Sequence, residues 1–239
     1  IVNPTTNSIA AGLEAGLASQ GNDSVALGKF AGRNSQQSSA IAIGLNGGRT
    51  SQGTSAIAVG TNTGSNTQGN NATALGTSAG QTSQGSDSVA IGISAASISQ
   101  GTAGIAVGSN AAGQNQKQYA VAIGYYAGQN TQGSSSVAIG NQSGLNTQGN
   151  SAIAIGALAG FKNQQGSTVA IGNRAGNDNQ GVNSVAVGAY AGIIDQHPNT
   201  VVLNGTGSSL NTNKPDATFV KPIRNANLTH QLRYDSTTG

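Results

Sequence analysis

The side chains able to do acid–base or metal chemistry are few and far apart. The carboxylates are Glu14, Asp23, Asp87, Asp178, Asp195, Asp216 and Asp235, and the imidazoles are His197 and His230. A general acid/base pair must flank one bond, and a metal ion needs several donors converging on it. These residues offer neither spacing. Asp23 and Asp87 share a position of a sixteen-residue repeat but fall four copies apart, where Ser and Asn fill the same place, so turn capping accounts for them. Gly44-Leu45-Asn46-Gly47-Gly48 is rich in glycine but lacks the lysine and following helix of a phosphate loop. Cysteine is absent, which removes thiolate chemistry and disulfides. The residues point to no enzyme, no catalytic residue, no metal and no cofactor.

Binding chemistry has more to work with. Tyr119, Tyr125 and Tyr126 lie close along the chain to Lys117, and together they could stack on and hydrogen-bond a sugar. Other variable pairs, Lys29-Phe30, Phe161-Lys162 and Ile193-Ile194 among them, read as outward turns. Ten Lys and Arg stand against seven Asp and Glu. The basic residues are scattered singly, so no patch exists that would release several counterions from a nucleic acid. No apolar run approaches the ~20 residues of a membrane-spanning helix. With no Met anywhere, Ile1 reads as an internal residue of a longer chain.

The elements that must carry these side chains come from the repeat. Glycine recurs every sixteen residues from Gly12 through Gly28, Gly44, Gly60 and onward to Gly188, and the phase ends at Asn204. Counted from this reference glycine, position −1 is aliphatic in all copies but the first, −2 is always Ala, and −3 is β-branched. This alternation predicts a strand. Glycine returns at +4, except for Ala96 and Ala112, and predicts a tight turn. Position +8 is always glutamine: Gln20, Gln36, Gln52, Gln68, Gln84, Gln100, Gln116, Gln132, Gln148, Gln164, Gln180 and Gln196.

Sixteen residues accommodate two short strands and two turns. The chain is therefore expected to be all-β, a parallel β-roll of about twelve sixteen-residue coils over residues 1–205, some ~58 Å long at the spacing of paired strands. Residues 206–239, where the repeat is lost and Pro215 and Pro222 appear, are expected to form a short cap and neck. The branched pair of each strand, Val89 and Ile91 for example, is expected to fill the coil. The alanines from Ala10 to Ala186 would then form an outward stripe on which three rods pack. The glutamines are expected to form a coil-to-coil amide ladder, lying either inside the coil or at a subunit seam. A regular threonine array, as ice binding would need, is missing, because the position before Gln mixes Ser, Thr, Asn and Asp.

Copies such as Ser88-Val89-Ala90-Ile91-Gly92 and Ser136-Val137-Ala138-Ile139-Gly140 resemble the head repeats of YadA-type trimeric autotransporter adhesins. The longer period resembles surface and tail fibre proteins of large DNA viruses, including algal viruses, and of phages. The segments Phe219-Val220-Lys221-Pro222-Ile223-Arg224 and Leu232-Arg233-Tyr234-Asp235-Ser236-Thr237-Thr238-Gly239 resemble the stretches C-terminal to such repeats in those viral proteins. The resemblance implies a left-handed roll, a homotrimer, display outside the cell on a virion or cell surface, and attachment to a host glycan or cell-wall polymer. A rod serving only as a spacer is the alternative.

Overall fold

The computed structural model describes residues 2–3 and 6–223; the segment Leu232–Gly239 and the end of the neck from Arg224 on lie outside the described residues. Among the described residues there is no helix. The chain forms a parallel β-solenoid of about thirteen turns with sixteen residues per coil, one more turn than the twelve reference glycines mark. Each coil contributes a strand to an aliphatic sheet, and the coils from Ala18 to Gln164 each contribute one to a glutamine sheet, which Asp178 and Ile194 continue only as isolated bridges. The aliphatic sheet carries the Val-Ala-Ile strands, from Ser8–Ala11 to Val201–Asn204. The glutamine sheet carries strands such as Thr82–Gln84 and Ile98–Gln100. Register is strict: Ala90 pairs with Ala106 and Gln84 with Gln100, each sixteen residues on.

Stacking continues beyond the last glycine of the repeat. Thr218–Lys221 adds a parallel strand to Val201–Asn204 after a spacing of seventeen residues. Between the two, Leu210 crosses the end of the glutamine sheet, bridging to Ala191 and accepting the Gly192 amide at 2.8 Å. At the other end Val2–Asn3 lies antiparallel on Ser8–Ile9.

The composition reflects how the coil turns its corners. In the coil beginning at Gly108, five of sixteen residues have positive φ: Gly108, Asn110, Ala112, Asn115 and Tyr119. Asn, Ser, Asp and Gly tolerate that region best, which is why they fill these columns. A low-complexity composition thus encodes a regular fold rather than disorder.

These sharp corners leave a flat, narrow interior, and they reverse the expected orientation of the aliphatic strand. Ala26, Ala42, Ala58 and their equivalents through Ala186 are fully buried inside the coil, whereas Ile91, Ile105 and Ile123 remain 37–39% exposed on the outer face. The cause is steric. A Cβ on Gly64 would lie 3.2 Å from the Ala58 methyl and 2.9 Å from Gln68 Oε1, so nothing larger than a methyl fits opposite that turn. The outward alanine stripe does not exist; the outward stripe is Val, Ile and Leu.

Two copies depart from glycine at +4, and a third position answers them. Ala96 and Ala112 are both fully buried, and their methyls take the place over which the glutamine oxygen otherwise lies. Gln116 Oε1 instead stands 2.9 Å from where Gly104 would carry a Cβ. We expect Gly104→Ala to cost about 1–3 kcal/mol by overpacking, and Ala112→Gly to recover part of that loss. Denaturant unfolding of both single variants and the double variant measures the coupling; strict additivity would show the two sites independent.

Candidate functional site

The glutamine column is settled by its geometry. It lies inside the coil, not at a subunit seam: Gln36 through Gln196 are at most 3% exposed, while Gln20, in the first coil, is partly open. Gln100 Nε2 donates to the Val89 carbonyl at 2.9 Å, the Gly104 carbonyl at 3.0 Å and Gln116 Oε1 at 3.0 Å. Each amide thus ties the two sheets together across the coil and reaches toward the next coil.

Amide-to-amide links run Gln36 to Gln52, Gln68 to Gln84, Gln100 through Gln116 to Gln132, and Gln148 through Gln164 to Gln180. The oxygens of Gln36, Gln68, Gln100 and Gln148, which open these runs, have no hydrogen-bond partner. Most of these oxygens rest over the +4 glycine; a Cβ on Gly32 would meet Gln36 Oε1 at 2.7 Å. From Gln36 to Gln196 the amides are turned inward and make their hydrogen bonds within the coil.

The four residues expected to form a sugar contact are not brought together. Lys117 and Tyr119 lie on the edge that leads from the glutamine sheet into the strand Val121–Ile123. Tyr125 and Tyr126 lie on the opposite edge, where that strand ends. Tyr125 and Tyr126 do pair, edge to face, with ring centroids 4.3 Å apart and planes at 80°. Hydrogen bonding to Tyr126, with burial adding to it, holds the Tyr125 phenol above its ordinary pKa. Lys117 borders a shallow depression of about 390 Å³ with Ser99, Gly101, Thr102, Gln118 and Ser134, all small or neutral.

What grouping by chain position missed is a grouping by repeat position. The edge formed by positions +1 to +6 collects aromatic and basic side chains from many coils. Lys29 Nζ lies 5.0 Å and the Arg33 guanidinium 5.3 Å from the Phe30 ring. Lys162 lies 5.7 Å from the Phe161 ring, and Arg174 6.0 Å from the Tyr190 ring. Arg33 also pairs with Glu14 at 2.7 Å. Sorting the sequence by position within the sixteen-residue period would have revealed the grouping.

No protein-family model matches this chain, and no curated protein is similar to it in sequence.

Proposed function

We propose that this chain is a rod segment of a surface fibre or adhesin, that it self-associates as a homotrimer along the outer face of its aliphatic sheet, and that it serves attachment to a host surface. The observation that carries this is the double file of Val, Ile and Leu at −3 and −1, repeated over thirteen strands with Thr73 and Ala11 as its only interruptions up to Leu203. The face bears no charge. Thirteen rungs of ~4.8 Å and two files ~7 Å apart make a strip on the order of 440 Å², about half of the ~800 Å² that each partner of a stable complex buries, so the flanking turns must share in the contact. A contiguous apolar patch of this size marks a contact surface. Closed cyclic symmetry buries it in every copy, and the likeness of the Ser-Val-Ala-Ile-Gly copies to trimeric adhesin heads favours three. The inward glutamines and alanines support a rod whose constant part holds shape and whose turn edges are free to vary.

The test is to charge the outer face alone. Ile91→Lys combined with Ile123→Lys should leave the circular dichroism spectrum unchanged, because both side chains already point outward. Light scattering should then report single chains where the parent protein reports an assembly. A variant that stays fully associated would remove this face from the interface.

A further inference from the structure

The two edges of the roll differ chemically, and the difference identifies a ligand class. Five of the eight aromatic residues, Phe30, Tyr125, Tyr126, Phe161 and Tyr190, stand on the +1 to +6 edge. All four cation–π pairs among the described residues are there too. The edge carries five basic side chains, Lys29, Arg33, Arg49, Lys162 and Arg174, against two acidic ones, Glu14 and Asp178. The opposite edge, +9 to +12 of the same coils, carries Lys117 against Asp23 and Asp87, and Tyr119 is its one aromatic.

Backbone conformation supplies a second, independent sign. Position +2 has φ near +55° in every coil. Asn46, Asn62, Ser78, Ser94 and Asn110 fill it with small polar residues, whereas Phe30, Tyr126, Arg174 and Tyr190 do not suit it, nor do Glu14, Gln142 and Leu158, so four of the seven ill-suited residues are aromatic or basic. Large side chains are therefore kept where the fold alone would choose Asn, and strain maintained against local preference is a mark of function.

We infer that this edge binds an acidic polysaccharide, a polymer of uronate-type sugars lying along the rod. Aromatic rings pack on the C–H faces of pyranose rings, and Lys29, Arg49, Lys162 and Arg174 donate to the carboxylates as charge-assisted hydrogen bonds. Arg33, held by Glu14 and stacked on Phe30, positions that ring instead. A nucleic acid fits less well: duplex carries a charge every ~1.7 Å of axis, whereas this edge has a surplus of three over eleven coils. The inference deepens the reading of the rod as an attachment surface and rests on it, but the edge lies beside the aliphatic face, not on it.

The test uses polygalacturonate as the probe, dextran as its neutral counterpart and single-stranded DNA as a competitor, with affinity measured by calorimetry. The protein should bind polygalacturonate more weakly as salt rises and should ignore dextran. The triple variant Phe30→Asn, Tyr126→Asn, Tyr190→Asn should bind at least ~10-fold more weakly, three stacking contacts being lost. Its Tm should be equal to or above that of the parent, because Asn relieves the strained position. Failure to bind polygalacturonate, equal binding of dextran, or tighter binding of DNA overturns the inference. So does a triple variant that melts early, which would make the rings structural. Sedimentation of the same samples keeps the two readings apart: an assembly that binds no polymer sinks the ligand and leaves the rod standing.

Discussion

Replacing Ala106 with glutamate is expected to unfold the roll, whereas replacing its neighbour Ile105 with glutamate leaves it folded. Ala106 is fully buried between the two sheets, and Ile105 is 37% exposed on the outer face. A carboxylate at Ala106 would enter a space with room for a methyl and would meet no cation. Burying an unpaired charge costs several kcal/mol even after the group neutralises, and the excess volume adds to it. A loss of ~4 kcal/mol or more approaches the whole stability of many domains. Circular dichroism and limited proteolysis should find Ala106→Glu unfolded or broken at that coil. Ile105→Glu should give the parent spectrum and lose only self-association. The reverse outcome would mean that the strand faces the other way.

Gly108→Ala should be nearly as damaging, for a different reason. Gly108 has φ of +129°, a region closed to residues with a Cβ, and its added methyl would lie 2.6 Å from the carbonyl oxygen of Gly124 in the next coil. Backbone strain and a backbone clash combine here, and neither can relax without separating the coils. The expected loss is on the order of 4 kcal/mol. Hydrogen exchange should show the damage as a break in protection between the coils of Gly108 and Gly124, with both flanks still protected. A Tm within a degree or two of the parent would show that the stack yields more easily than its geometry implies.

The contrast between Ala106 and Ile105 also marks the limit of what the sequence discloses. The sixteen-residue period, the strand at −3 to −1 and the structural role of the invariant glutamines are all legible, because stacking identical coils forces identical residues into columns. Alternation shows that Val89 and Ile91 point away from Ala90, but it does not show which side is inside. That depends on the cross-section of the coil, which is set by turns at positive φ at Asn110, Ala112, Asn115 and Tyr119, and those require three dimensions. A clue was present in the columns themselves. Positions +3, +4 and +12, which share the interior with Ala and Gln, hold only Ala, Gly, Ser and Thr from Ala15 to Ser184. An interior built from such residues has no place for two branched side chains.

The four candidate contact residues are divided between two edges for a related reason. Lys117 and Tyr119 are neighbours of Tyr125 and Tyr126 in the chain, but the strand Val121–Ile123 carries the backbone across the full width of the roll between them. Proximity in a solenoid runs along columns, so the neighbours of Tyr126 are Asn110 and Gln142 in the adjoining coils rather than Tyr119.

The apolar outer face is the feature on which the proposed role depends, and sedimentation equilibrium of the unaltered chain at micromolar concentration tests it most directly. A mass three times the 23.3 kDa of one chain is expected, unchanged as salt is raised because the outer face is apolar. A single species of 23.3 kDa, stable at the same concentration, would contradict self-association and leave the double file of Val, Ile and Leu without a partner.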